Sequence, residues 1–167
     1  TIISKLSTTQ ISALSASVIA AISTQDIAAI STAQFSALSS TQLRVLSAAQ
    51  VVAMSTTQAG SMTSAQVSSL TTTQIASMET SDLASIKTSA IRALFTSQVA
   101  ALTTAQVAGL SSTQVAALAS AQLAALTTAQ LVSMEAVDFA AIASDQVSAL
   151  TTTQIRASTT NQVLAFT

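Results

Sequence analysis

Hydrophobic and polar residues follow one another along this chain with a fixed period of eight residues. The segment TTAQVAGLSSTQVAALASAQLAALTTAQL, residues 103–131, contains three complete copies and the start of a fourth copy of a unit that approximates [ST]-[ST]-[TAS]-Q-[VIL]-[AS]-[AS]-[LIM]. We name this unit the octad and number its positions 1 to 8, so that glutamine is at position 4 and apolar residues are at positions 5 and 8. About twenty octads follow one another, which identifies the chain as a repeat array.

The phase of the repeat is constant from end to end. In the octads that lack glutamine, position 4 holds Val18, Asp26, Asp82, Ala90 or Asp138, and the spacing stays at eight. The glutamines at position 4 are Gln10, Gln34, Gln42, Gln50, Gln58, Gln66, Gln74, Gln98, Gln106, Gln114, Gln122, Gln130, Gln146, Gln154 and Gln162. The regular spacing implies that every octad adopts the same local structure.

A period of eight does not fit a long helix or a simple strand. In a continuous α-helix the apolar pair would drift by about 80° per octad, so no single partner could bury it. In a strand, residues three apart point to opposite faces. A β-solenoid with a turn in each octad is an alternative, but the chain has only two glycines and no proline to make such turns. Long helices in a bundle are a further alternative.

Each octad carries the signals that start a helix. In the octad that begins at Ser111, the serine hydroxyl suits the N-cap and Gln114 is placed to complete a capping box. Leu110 and Val115 occupy the two positions of a hydrophobic staple. We therefore predict an all-α solenoid of short, N-capped helices of roughly seven residues, separated by one cap residue. The caps without a hydroxyl are Glu79, Lys87, Phe95, Ala119, Glu135 and Ala143.

Such short helices require tertiary packing, because helix nucleation costs more than one or two turns return. The chain must therefore coil so that successive turns cover each other's apolar residues, with three or four octads per turn. We expect residues 1–167 to form a single solenoid. Since Thr167 stands at position 1 of a next octad, we also expect the chain to be a segment of a longer array.

A longer rhythm, of seven octads, overlies the eight-residue repeat. Asp26, Asp82 and Asp138 are spaced by this interval, and the repeated blocks lie near residues 24–79 and 80–135. The favoured explanation is duplication of a block of seven octads. The other explanation is that seven octads complete a whole number of turns, which would align the aspartates along one edge.

Tolerance to substitution predicts which positions face outward. Positions 3 and 6 accept large or charged residues such as Val137 and Arg92, so we expect them to face solvent. Position 7 stays small, as at Gly109 and Ala117, which predicts close approach of a second backbone. The segment QAGSM, residues 58–62, is either a weak joint or a site of close contact, and we favour the weak joint.

The composition excludes several classes of protein. Half of the residues are hydrophobic and the mean hydropathy is +0.62, yet no apolar run approaches the length of about 20 residues that spans a bilayer. With a net charge of −1 there is no basic surface for nucleic acid, and without cysteine the redox compartment cannot be inferred. So low a charge is poor for solubility, which suggests that hydroxyls, sugar or assembly protect the surface.

The residues that perform chemistry are scarce. Histidine and cysteine are absent, so we predict that the chain is not an enzyme and has no catalytic, cofactor-binding or metal-binding residues. A Ser–Lys pair at Lys5 or Lys87 is conceivable, and Asp138 and Asp145 could chelate a metal weakly. Isolated surface charges are the preferred interpretation of all four.

The chain resembles the Ala/Thr/Gln-rich short-period arrays of very large secreted bacterial surface proteins, in composition and repeat style. This resemblance implies an extracellular or cell-surface location. It favours a structural function as part of a fibre, filament, stalk or adhesin spacer that self-associates end to end or side by side. O-linked glycans on serine and threonine would fit the same function. The alternatives are an ice-binding solenoid and a peptide-binding scaffold.

Overall fold

The computed structural model describes residues 2–165 as a coil of short helices. Over these residues the chain forms a 3-10 helix, Ile3–Lys5, and twenty α-helices, with no β-strand. The α-helices are α1 (Thr8–Ser12), α2 (Ala16–Ala21), α3 (Thr24–Ala29), α4 (Thr32–Ser36), α5 (Ser40–Arg44), α6 (Ala48–Val52), α7 (Thr56–Ser61), α8 (Ser64–Ser69), α9 (Thr72–Ser77), α10 (Thr80–Ser85), α11 (Thr88–Ile91), α12 (Thr96–Ala100), α13 (Thr104–Ala108), α14 (Ser112–Ala117), α15 (Ser120–Ala124), α16 (Thr128–Ser133), α17 (Ala136–Phe139), α18 (Ser144–Val147), α19 (Thr152–Ala157) and α20 (Thr160–Leu164). The predicted all-α solenoid is confirmed over this range, while the predicted cap at Thr167 lies outside the described residues.

The helices begin as the capping box predicts. Ser111 precedes α14 in an extended conformation, with φ −74° and ψ 157°. Its hydroxyl accepts a hydrogen bond from the backbone N–H of Gln114 at 3.3 Å, and Gln114 Oε1 accepts one from the backbone N–H of Ser111 at 3.0 Å. The N–H of Val115 then donates to the Ser111 carbonyl at 2.9 Å, which closes the first helical turn.

The helix ends differ from the prediction. Helix α14 has 6 residues and α11 has 4, fewer than the seven predicted. Two extended residues follow α14 instead of one: Leu118, with φ −62° and ψ 136°, and Ala119, with φ −72° and ψ 155°. The reason is that the N–H of Leu118 bonds only as far back as Val115, so the helix stops and the chain bends at Leu118. Among the described residues no φ is positive, so the bend needs neither glycine nor proline.

Successive turns of the solenoid, which we name coils, are joined by hydrogen bonds such as that from Gln42 to the carbonyl of Leu14, 28 residues earlier. This separation equals three and a half octads. Helices three apart in the chain pack together, as α7 does with α10 and α10 with α13. Other hydrogen bonds between coils join Ser40 to Ala65 and Gln42 to Ile11.

The core lies inside the coil and consists of the residues at positions 5 and 8. Position 5 is at most 1% exposed from Ile11 to Phe139, and position 8 is at most 5% exposed from Ile30 to Ile142. Position 5 becomes exposed in the last coil, where Ile155 is 43% and Val163 51% exposed. Burial therefore depends on a neighbouring coil and not on the octad alone.

The remaining positions face outward or contact the next coil. Val137 at position 3 and Arg92 at position 6 are exposed, as predicted. A Cβ added at Gly109 would lie 2.2 Å from Thr80 Cγ2 in the adjacent coil, so the close neighbour here is a side chain and not the backbone that we predicted. A Cβ at Gly60 would lie 3.0 Å from the Ser85 carbonyl oxygen. Gly60 is therefore a site of close contact, and the weak joint that we favoured is wrong because α7 lies too near to α10.

Candidate functional site

Position 4 of the octad makes the bonds that join one coil to the next. The Oε1 atom of Gln106 accepts from the backbone N–H of Thr103 at 2.8 Å, which completes its own capping box. Its Nε2 atom donates to the carbonyl oxygens of Ile75 and Met78 in the preceding coil, at 2.8 Å each. The side chain is 2% exposed, so these bonds form out of contact with water.

The same arrangement recurs in each octad where glutamine follows a preceding coil, and we name this set of residues the glutamine ladder. Its members are Gln34, Gln42, Gln50, Gln58, Gln66, Gln74, Gln98, Gln106, Gln114, Gln122, Gln130, Gln146, Gln154 and Gln162. Their acceptors are carbonyls at the C-terminal ends of helices. The position-8 carbonyl, such as that of Met78, lies just beyond the helix, whereas the position-5 carbonyl, such as that of Ile75, also accepts from the N–H of Met78 at 3.2 Å. Each glutamine thus starts one helix and completes the end of another.

Sequence reasoning found only half of this function. The capping box explains the Oε1 atom but gives the Nε2 atom no role. The missing signal was that glutamate, which serves equally well in a capping box, does not occur at position 4. An ionised glutamate only accepts hydrogen bonds, so its absence from this position agrees with a need for a donor there.

The glutamine ladder is interrupted at Asp82, Ala90 and Asp138. Asp82 is 1% exposed, and among the described residues its Oδ2 atom is buried without a hydrogen-bond partner. The register of the ladder places the carbonyls of Val51 and Met54 opposite this carboxyl group. Burial, and secondarily the negative charge of Glu79, raises the pKa of Asp82 to about 6. This pKa means that the group gains a proton at mildly acidic pH.

The carboxylate of Asp138 has a hydrogen-bond partner, whereas the Oδ2 atom of Asp82 has none among the described residues. Its Oδ1 atom accepts from the hydroxyl of Ser112, in the preceding coil, at 2.5 Å. Asp145, which we considered as a companion ligand, is exposed on the next helix, whereas Asp138 is buried. Among residues 2–165 there is no group of three or more His, Cys, Asp or Glu side chains that could hold a metal ion.

The lysines considered for a Ser–Lys pair are both exposed. Lys5 lies in the 3-10 helix at the start of the chain, and Lys87 is the N-cap of α11, where its side chain makes no capping bond. Neither therefore lies in a cleft that excludes water. The arrangement found here can bond coils together and present hydroxyls, and we assign no reaction to it.

The surface of the described residues also carries grooves. At the first coil a groove of about 530 Å³ is lined by apolar residues that include Ile2, Leu6 and Val18. Near the last coil a second groove, of about 480 Å³, includes Ile142 and Val147. A third, of about 360 Å³, lies on the side of the coil between Arg92 and Asp145. Of the helices described, none has the length and apolar character needed to cross a bilayer.

Comparison with known proteins shows that the chain matches the model of a repeat family. The family model described as ALTTAQ repeat matches residues 19–56, 40–72 and 75–112, which together cover more than half of the chain. These matches are in tandem, in agreement with a repeat array. No curated protein and no solved structure matches the chain.

Proposed function

The chain belongs to the ALTTAQ repeat family, and from this premise we propose that it is a structural, non-enzymatic segment of an extracellular fibre, filament, stalk or adhesin spacer. In this role the repeat array determines the length and stiffness of the fibre, and the chain acts through its surface and not through a reactive centre. Self-association, end to end or side by side, is part of the proposal.

The observation that carries the proposal is the repetition of the glutamine ladder. The bonds that Gln106 makes to Ile75 and Met78 recur six octads later, where Gln154 donates to Leu123 and Leu126. Each coil needs only its neighbour, so stability grows with each added coil and the structure has no intrinsic limit of length. A rod of this kind suits a spacer.

The two end coils favour stacking on a further coil. At the first coil Ile2 is 83% exposed and Val18 45% exposed, and at the last coil Val163 is 51% and Leu164 61% exposed. Burial of this apolar surface would stabilise an end-to-end contact. A further coil of the same kind, from the same chain or from a second copy, is the partner that fits both ends.

The hydroxyl-bearing surface supports O-glycosylation as a further part of the proposal. Thr103 and Thr104, at positions 1 and 2 of their octad, are both exposed, and most octads have serine or threonine at these positions. Glycans at such sites would protect a surface that has little charge. Intact-mass spectrometry of native material tests this: we expect masses above the 16.8 kDa of the bare segment, and the bare mass alone would contradict it.

Electron microscopy of the purified chain and of native material tests the structural role. We expect unbranched rods of constant thickness, whose length grows with protein concentration for the purified chain. Protease treatment of intact cells, followed by detection of the repeat, tests the extracellular location. Compact particles of one size in both samples, together with protection from protease, would refute the proposal.

A further inference from the structure

On one side of the solenoid, three helices that stack on one another have N-cap residues other than serine or threonine. Helices α12, α15 and α18 pack one on the next, and their N-caps are Phe95, Ala119 and Ala143. These caps provide no side-chain hydrogen bond. Loss of a capping hydroxyl costs about 1 kcal/mol, so three such losses in one line of helices call for a compensating role.

Phe95 is the unusual member of this line. It is 63% exposed, while Phe35 and Phe139 are fully buried in the core. A phenylalanine at this cap contributes neither to the helix start nor to the core. Exposed aromatic residues are typical anchors of protein interfaces.

The groove of about 360 Å³ runs beside these caps across three coils. Arg92 is at its first coil, Ala116 and Ala119 are at its middle coil, and Asp145 is at its third coil. Both charged residues are exposed. The line of caps therefore has a large apolar residue and a cation at one end, and a small residue and an anion at the other.

This order makes the face complementary to itself. A two-fold axis that lies in the plane of this face, beside Ala119, would place Phe95 on Ala143 of a second copy and Arg92 beside Asp145 of that copy. Each contact would then occur twice, which is the defining property of an isologous interface. We infer that this face, formed by Phe95, Ala119, Ala143, Arg92 and Asp145, pairs two copies of the chain side by side in antiparallel orientation.

The inference rests on the proposed structural role, because it names the partner in lateral self-association. Its failure is distinguishable from failure of that role, since rods can form end to end without it. The five residues of this face are fewer than the roughly 20–30 residues that each partner contributes to a stable complex. We therefore expect a weak dimer that forms at micromolar or higher concentration and weakens as salt increases.

Sedimentation velocity of the full chain over a range of concentrations tests the pairing. Phe95→Ser restores a hydroxyl cap to α12, so it should preserve or raise the melting temperature while weakening the dimer at least tenfold. Arg92→Asp and Asp145→Arg should each weaken it at least tenfold, and the double exchange should restore it. Arg156→Asp, at the same octad position as Arg92 but away from the groove, should leave it unchanged.

The outcomes that overturn the inference are equally defined. A chain that stays monomeric at all concentrations would overturn it, as would a dimer that survives Phe95→Ser. Failure of the double charge exchange to restore pairing would show that Arg92 and Asp145 do not meet across the interface. Circular dichroism of each variant shows that it is folded, so that a lost dimer reports on the surface.

Discussion

The clearest test of the glutamine ladder is Gln106→Glu. The glutamate keeps an oxygen for the Thr103 N–H, so the capping box survives, but it no longer donates to the carbonyls of Ile75 and Met78. The Met78 carbonyl loses this donor, at a cost of about 1–3 kcal/mol, while the Ile75 carbonyl keeps its bond from the N–H of Met78, so we expect a total loss of about 2 kcal/mol. For a chain of this length that lowers the melting temperature by about 4–8 °C.

Gln10→Glu is the matched control. Gln10 makes the same capping box, with the Ser7 N–H donating to its Oε1 atom at 2.9 Å. It is exposed and, among the described residues, has no coil before it to bond. We expect a change within about 0.5 kcal/mol, measured for both variants by thermal unfolding at about pH 7.5. Equal losses from the two substitutions would refute the reasoning, because capping alone would then explain the glutamines.

Three further substitutions test other features of the coil. Burial raises the pKa of Asp82 to about 6 from its ordinary value of 3.8, so the folded chain binds the carboxyl proton more tightly than the unfolded chain does. The protonated carboxyl group therefore stabilises the fold fully below about pH 4, and this stabilisation is lost as the pH rises through about 6. Asp82→Gln should remove that pH dependence and stabilise the chain by about 2 kcal/mol near pH 7.5, as measured by thermal unfolding from about pH 4 to 8; an unchanged pH profile would contradict this. Lys87→Thr should stabilise by about 1 kcal/mol, since it supplies a missing capping hydroxyl and removes a positive charge from a helix N-terminus; no gain in urea unfolding would count against it. Gly109→Ala should destabilise the chain because its Cβ meets Thr80 Cγ2. In a Thr80→Ser background, which lacks that methyl group, the same change should stabilise by about 0.5 kcal/mol, and equal effects in both backgrounds would refute the contact.

The octad alone predicts the local structure because its signals are local. Ser111 and Gln114 define a helix start within a single turn, and the apolar pair at positions 5 and 8 defines the buried side. The helix end was less predictable, since Leu118 adopts the extended conformation in response to packing and not to a residue preference. Gly60 was misread for the same reason, because its neighbour Ser85 belongs to the next coil and is distant in the sequence.

The length of the coil could not be read from the octad, because it depends on which carbonyls the glutamine reaches. Gln106 has two acceptors that fix the register, Ile75 and Met78, and these lie 31 and 28 residues before it. A capping box has no preference between these distances and any others.

The breaks in the glutamine ladder also show why the array tolerates them. Beside Asp82, the Ser85 hydroxyl donates to the Thr56 carbonyl at 2.8 Å. Beside Ala90, the Ser64 hydroxyl donates to the Ser89 carbonyl at 3.1 Å. At Asp138 itself, the Ser112 hydroxyl donates to the carboxylate.

Serine bonds between coils are not confined to the breaks, since Ser133 also donates to the Thr104 carbonyl at 3.0 Å beside an intact glutamine. They form a second, weaker set of contacts between the same coils, made by short side chains that fit only where the backbones approach closely. This explains why small residues prevail at position 7, and why an aspartate or alanine at position 4 weakens a single contact between coils and leaves the winding of the chain unchanged. Stability that is summed over neighbouring coils then absorbs each loss locally.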